Sequence, residues 1–133
     1  MLKIIDHIGI AVPNIDEALK FWQGGLGLAV SHREEVPAQQ VKVAFLPLGA
    51  TNVELLEPTS PDSSIAKAIE KRGPGVHHLC FEVEDLRAAL AQLKAQGLQL
   101  INPEPVAGAH GKLVAFVHPK STGGILLELC QKA

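Results

Sequence analysis

The sequence predicts an α+β fold built from two tandem modules, each with the element order strand, helix, strand, strand, strand (βαβββ). The first observation behind this is an internal duplication, because His7 and His78 each open an apolar run that leads through an acidic turn into a helical stretch. The second is that both histidines stand equally far ahead of a Val-Ala-Phe triplet, which ends at Phe45 and Phe116. The third is length, since 133 residues suit one compact domain rather than two independent ones.

The elements of the first module are predicted from alternation and from turn residues. Residues 2–12 alternate and indicate a strand that places His7 on one face with Gly9 and Ala11, where small residues leave space. A helix is expected from about Ile15 to Gln23, with carboxylates in its first turn and glycines after its end. Further strands are expected near residues 29–34, 41–47 and 52–56.

The second module repeats the first after a linker. Residues 59–64 start like a capped helix that continues to Lys71. A strand at 76–83 and a helix at about 86–96 follow. Further strands are expected near residues 99–102, 113–118 and 124–130. The predicted division of the single domain, 1–133, is module one at about 1–58, a linker helix at about 59–73 and module two at about 74–133.

Composition and charge narrow the classes of partner. The net charge is -2 and no Lys/Arg run is present, so nucleic acid is not an expected partner. No segment approaches the roughly 20 apolar residues that span a bilayer, and the first residues lack the apolar core of a signal peptide. Cys80 and Cys130 lie in strand-like runs without zinc-site spacing and are expected to be core residues. A cytoplasmic protein with a small-molecule ligand and no membrane partner is expected.

Four polar residues in apolar, strand-like runs form the candidate site: His7, Glu54, His78 and Glu128. A carboxylate buried without a partner costs several kcal/mol, and a divalent cation would compensate it. Two imidazoles and two carboxylates suit Zn, Fe, Co, Ni or Mn and leave two positions of an octahedral shell open for chemistry. The alternative is four unrelated strand residues that are satisfied by their neighbours. Their equivalent positions in the duplication favour a metal site.

Three further polar residues are candidates for substrate contact or for support of the site. His110 lies in the glycine-rich run 107–112, which is either a solvated loop or a loop that covers a ligand. Lys120 either holds an anionic substrate group or lies in a surface turn. His77 precedes His78 and therefore faces the other side of its strand, where a structural or supporting role is expected.

The chain resembles the vicinal oxygen chelate superfamily, and within it the methylmalonyl-CoA epimerases, over essentially its whole length. The resemblance is carried by the runs Asp6-His7-Ile8-Gly9-Ile10-Ala11-Val12, Val53-Glu54-Leu55-Leu56-Glu57-Pro58, His77-His78-Leu79-Cys80 and Gly123-Gly124-Ile125-Leu126-Leu127-Glu128. It implies a pair of βαβββ modules whose curved sheets form a metal-holding cleft, in a homodimer. The implied ligands of one divalent ion, Co first and Zn, Ni, Mn or Fe as alternatives, are His7, Glu54, His78 and Glu128.

The activity implied by the resemblance is an epimerase that interconverts the two C2 epimers of methylmalonyl-CoA, an acyl-CoA of propionate metabolism, through a metal-stabilised enolate. Glu128 and Glu54 are then the expected bases on opposite faces of the α-carbon. Some epimerases carry Gln at the position of Glu54 and a separate Glu where this chain has Val43, so this chain departs from them at the second base. The alternatives are glyoxalase I, which would use the same four ligands on a glutathione hemithioacetal, and a non-catalytic small-molecule-binding member.

Overall fold

The computed structural model describes residues 1–133 and contains the predicted elements in the predicted order. The strands are β1 (Leu2–Ala11), β2 (His32–Val36), β3 (Val41–Leu48), β4 (Thr51–Pro58), β5 (Gly75–Val83), β6 (Val106–Ala107), β7 (Leu113–Val117) and β8 (Leu127–Gln131). The helices are α1 (Ile15–Leu19), α2 (Ser64–Arg72) and α3 (Leu86–Ala95). None of them combines the length and the apolar character that a membrane span needs. The α+β order βαβββ is confirmed in both halves.

The chain divides into two compact units, which share β1 and β5. The first-half unit is His7–His77, and the second-half unit is Met1–Asp6 together with His78–Ala133. In the first half the strand order is β2-β3-β4-β1, with β1 parallel to β4 and the other pairs antiparallel. In the second half the order is β6-β7-β8-β5, with β5 parallel to β8 and the other pairs antiparallel. The duplication in sequence is therefore a duplication of strand pairing.

The apolar core of each half decides which face of the strands is left for polar residues. The first-half core lies between α1 and the sheet and contains Val12, Ile15, Ala44, Leu46, Val53 and Leu55. The second-half core lies around α3 and contains Val83, Leu86, Ala89, Leu90, Ala115, Val117 and Leu129. Because side chains alternate along a strand, Glu54 next to Leu55 and Glu128 next to Leu129 lie on the face turned away from these cores.

The helical segments after β1 and β5 begin and end with the same signals. The side chain of Asn14 accepts a hydrogen bond from the N–H of Glu17 at the start of α1, and Asp85 caps α3 in the same way. Past the helices, Gly27 and Gly97 take left-handed φ angles of 80° and 78°. The predicted first helix is confirmed, although α1 continues as a π-helical turn rather than a regular α-helix.

The strand predicted at residues 99–102 is wrong. Only Leu100 forms an isolated bridge, with Val117, and the short edge strand lies instead at β6. Pro103 and Pro105 lie between the two segments, and neither has the N–H group that a continuing ladder requires. Alternation alone therefore located the edge strand several residues too early.

Two other predicted strands begin later than expected. The strand predicted at 29–34 is β2, and the strand predicted at 124–130 is β8, which begins only at Leu127. Before β8 the chain makes a turn in which Gly123 and Gly124 take φ angles of 80° and 108°, outside the strand region. The remaining predicted strands agree with the structure to within two residues at each end.

Candidate active site

The first-half unit holds His7 against Glu54. The Nδ1 atom of His7 lies 3.0 Å from Oε2 of Glu54, and the two residues are 6% and 5% exposed. Gly9 is the residue opposite Glu54 in the parallel pairing of β1 with β4. Since Gly9 also shares a strand face with His7, its missing side chain leaves room for the carboxylate to reach the imidazole.

The second-half unit holds His78 against Glu128 in the same way. The Nε2 atom of His78 lies 3.0 Å from Oε1 of Glu128, and the two residues are 6% and 7% exposed. Here Cys80 is opposite Glu128 on one side, and Phe116 is opposite it on the other. The Phe116 ring meets the His78 ring edge to face, with the ring centroids 5.8 Å apart. The structure thus pairs each predicted histidine with the predicted glutamate of its own half.

In each half, the residue three positions after the glutamate accepts a hydrogen bond from the first turn of the helix of that half. The carboxylate of Glu57 accepts a hydrogen bond from the N–H of Ile15 at 2.8 Å. The side-chain amide oxygen of Gln131 accepts one from the N–H of Leu86, also at 2.8 Å. Both donors are first-turn N–H groups that lack a partner within the helix. The same anchor therefore sets the position of the strand that carries Glu54 or Glu128.

The geometry of each pair suits two neighbouring ligands of one metal ion. With metal to ligand distances of about 2.1 Å, donor atoms at right angles to each other lie about 3.0 Å apart. That is the separation found in both pairs. Imidazole and carboxylate donors suit first-row divalent metals. A buried ion pair alone is a poor source of stability, so the duplicated His–Glu arrangement fits a ligand set better than a packing role.

Cys80 and Cys130 pack with Val114 in a fully buried cluster on the face that carries Glu128. A side-chain hydrogen bond with Cys130 raises the pKa of the Cys80 thiol, and burial and the negative charge of Glu128 raise it further. The raised pKa disfavours the thiolate form, which is the form that binds metals well. The predicted core position of Cys80 is confirmed by its burial.

Two buried carboxylates in the second-half unit were not singled out from the sequence. Asp6 binds the ammonium group of Lys112 through both oxygens, at 3.0 and 2.9 Å. Glu82 lies 3.1 Å from Lys3 and 3.3 Å from Lys132. Burial alone would raise the pKa of Glu82, yet the two ammonium groups outweigh it and lower that pKa. The sequence offers one signal for these two carboxylates, namely a polar residue inside an apolar strand. The same kind of pattern identified His7.

The structure gives the positions of His110, Lys120 and His77 without giving them a function. His110 is exposed in a short 3₁₀ turn before β7. Lys120 is exposed as well, and its backbone N–H donates to Nδ1 of His118 at 3.0 Å. His77 is half-buried on β5, next to the fully buried His78. The substrate contacts predicted for His110 and Lys120 stay predictions.

Comparison with known proteins agrees with this architecture. The model of the Glyoxalase/Bleomycin resistance protein/Dioxygenase superfamily matches residues 6–116. The chain is 42% identical over 128 residues to the mitochondrial methylmalonyl-CoA epimerase of Homo sapiens, covering 96% of this chain and 73% of that one. It is 41% identical to an ethylmalonyl-CoA/methylmalonyl-CoA epimerase of Cereibacter sphaeroides, covering 98% and 99%.

Solved structures give the same result for the fold. The methylmalonyl-CoA epimerase of Streptomyces coelicolor, solved as a variant in complex with 2-nitronate-propionyl-CoA, superposes with a TM-score of 0.96 at 37% identity. The match covers 100% of this chain and 96% of that one. The predicted vicinal oxygen chelate fold is confirmed. The chain belongs to the methylmalonyl-CoA epimerase family of the glyoxalase/bleomycin resistance protein/dioxygenase superfamily.

Proposed function

We propose that the protein interconverts the C2 epimers of methylmalonyl-CoA. The observation that carries this proposal is the buried His–Glu pair that recurs at equivalent positions of both halves. Identities of about 40% to methylmalonyl-CoA epimerases over nearly the whole chain support the substrate class, an acyl-CoA thioester. The Streptomyces coelicolor relative binds 2-nitronate-propionyl-CoA, which supports the same class.

The proposed metal ligands are His7, Glu54, His78 and Glu128, acting on one divalent ion. The 3.0 Å separation within each pair supports this assignment, because it suits adjacent ligand positions. Co is the first proposed metal, with Zn, Ni, Mn and Fe as alternatives, because imidazole and carboxylate donors suit all of these ions. When bound, the ion would supply positive charge that stabilises negative charge on the thioester oxygen.

Glu128 and Glu54 are the proposed bases of the reaction. The α-proton of the substrate lies between a thioester and a carboxylate, and a carboxylate base could remove it if a bound ion stabilised the resulting negative charge on the thioester oxygen. In each pair one carboxylate oxygen faces the imidazole, namely Oε2 of Glu54 and Oε1 of Glu128. The proton would then be accepted or returned at the other oxygen, Oε1 of Glu54 or Oε2 of Glu128. One glutamate removes the proton from one face, and its counterpart delivers a proton to the other.

Two structural features of the assembly are also proposed. The chain acts as a single domain, residues 1–133, and forms a homodimer. Apolar side chains of the second-half unit that face solvent, such as Leu2, Ile4 and Leu113, support an interface with a second copy. Light scattering coupled to size-exclusion chromatography would give twice the chain mass if the homodimer forms.

The test is the proton NMR signal of racemic methylmalonyl-CoA in deuterated water. We expect the α-proton to persist with chelator-treated protein and to disappear after Co²⁺ is added. Glu128→Gln with the same metal content is the matched control and should exchange the α-proton of only one epimer. Should no divalent metal produce exchange, conversion of the methylglyoxal–glutathione hemithioacetal would identify glyoxalase I instead. Failure of both reactions would leave a non-catalytic binding protein.

A further inference from the structure

A tight hairpin joins β6 to β7 in the second-half unit and carries His110 at its tip. The two residues of β6 pair with the start of β7, and the N–H of Gly108 donates to the carbonyl of Lys112 at 2.9 Å. A side chain at Gly108 would come within 2.7 Å of Cγ1 of Val114, so the hairpin lies directly against β7. His110 has a φ of 58°, a left-handed conformation that few non-glycine residues adopt. The hairpin is therefore held in one specific and locally strained shape.

A buried ion pair fastens the base of this hairpin to β1. The Nζ atom of Lys112 donates to both oxygens of Asp6, at 3.0 and 2.9 Å. The side chains of Lys112 and Asp6 are 16% and 4% exposed. Apolar residues of similar volume often replace such a pair without loss of stability. The position that the pair imposes on the hairpin is therefore a better explanation for it than stability.

We propose that Asp6 and Lys112 are positioning residues, whose ion pair holds the hairpin so that His110 contacts the bound acyl-CoA. The proposal rests on the proposed function, because it assigns His110 to the substrate of that reaction. It also explains why a carboxylate stands directly before His7. The strand that carries a proposed metal ligand and the loop that contacts substrate are then set by one interaction.

The test separates folding from positioning by removing both charges together. Lys112→Met alone leaves the buried carboxylate of Asp6 without Lys112. That variant could therefore fail to fold because of the buried charge and not because of the position of the hairpin. The double variant Asp6→Asn/Lys112→Met leaves no buried charge unpaired and should unfold near the temperature of the parent. In that variant we expect hydrogen exchange at residues 108–112 to be at least about tenfold faster, because the hairpin opens more often.

Binding and turnover of the double variant are measured next. We expect the Kd for propionyl-CoA and the KM for methylmalonyl-CoA to rise about tenfold, with kcat within about twofold of the parent. Glu82→Gln is the matched control, since it breaks a different buried ion pair of the same unit and should change neither the hairpin nor KM. His110→Ala should raise KM similarly, and adding it to the double variant should have no further effect.

Three results would overturn the proposal. One is unchanged exchange of residues 108–112 in the folded double variant. Another is a loosened hairpin with the parent's Kd for propionyl-CoA. The third is an additive effect of His110→Ala, since the pair would then act by another route. Hydrogen exchange needs no substrate, so it tests the role of Asp6 and Lys112 independently of activity. A parent protein that neither binds propionyl-CoA nor exchanges the α-proton would instead count against the proposed function.

Discussion

His7 meets Glu54 in the first-half unit as His78 meets Glu128 in the second, and the surroundings of the two pairs differ. The distance is 3.0 Å in both, although His7 presents Nδ1 and His78 presents Nε2. Two and four positions after the histidine, the first half has Gly9 and Ala11 where the second has Cys80 and Glu82. The His–Glu pair is therefore the feature that the two halves share, while the residues around it differ.

The aromatic neighbours differ in the same way. Phe45 and Phe116 hold equivalent positions, each opposite the glutamate of its half. Phe116 packs its ring against His78, whereas Phe45 stacks on His32, at a centroid distance of 5.5 Å. The second-half pair thus borders an aromatic ring and a thiol cluster, whereas the first-half pair borders Gly9. The two pairs therefore differ in the groups around them and not in their burial, since Glu54 and Glu128 are 5% and 7% exposed.

Removing one base at a time should have the largest effect. We expect Glu128→Gln and Glu54→Gln each to lower kcat for epimerisation by roughly 10²- to 10⁴-fold, the usual contribution of a general acid or base. Each variant keeps one base, so each should still exchange the α-proton of one epimer with solvent, and the two variants should act on opposite epimers. Deuterium incorporation into separated epimers measures this. Exchange of both epimers by Glu128→Gln would remove Glu128 from the mechanism.

Breaking a pair from the histidine side should reduce the stability of the metal-free protein. His78→Ala leaves Glu128 buried without its partner, and such losses cost about 3–5 kcal/mol. His7→Ala should cost a similar amount, because Glu54 and Glu128 are 5% and 7% exposed and are therefore about equally buried. Urea unfolding in the presence of a chelator gives both values. A much smaller loss for one of the two variants would contradict the equal burial of the two pairs.

The hydrogen bonds that Glu57 and Gln131 accept from the helices allow a smaller test with an internal control. Glu57→Gln should be close to neutral, because Gln131 performs the same function with an amide in the other half. Glu57→Ala and Gln131→Ala should each lower the free energy of unfolding by about 1–2 kcal/mol, the cost of a lost helix N-terminal partner. Urea unfolding at pH 7 measures all three. A large loss for Glu57→Gln would mean that the negative charge, not the acceptor oxygen, is essential.

The smallest effect concerns Glu82, which has no counterpart in the first half. Its lowered pKa means that its ion pairs stabilise the fold above the pKa of an unfolded glutamate, about 4.3, and that this contribution is lost as the pH falls further. Lys3 and Lys132 are about half-exposed or more, so the contribution should stay below about 1 kcal/mol. The difference in unfolding free energy between the parent and Glu82→Gln should therefore shrink from pH 7 to pH 3. A difference that grows in acid would contradict the lowered pKa.

The sequence predicted the parts of the molecule that depend on local periodicity. Alternation and duplication located His7 and His78, and they also indicated which strands carry Glu54 and Glu128. They did not reveal the contact between Asp6 and Lys112, because a pattern gives the face of a residue but not its distant partner. The edge strand β6 was missed for a related reason, since two residues carry almost no periodic pattern.

The most direct test of the proposal that His7, Glu54, His78 and Glu128 bind one divalent ion is the number of ions bound per chain. Chelator-treated protein would be titrated with Co²⁺, and bound metal would be measured by mass spectrometry for the parent, His7→Asn and His78→Asn. We expect one ion per chain in the parent and loss of that ion when either histidine is replaced. Two ions in the parent, with one retained in each variant, would mean that the halves bind metal separately and would contradict the account, as would a parent that binds none.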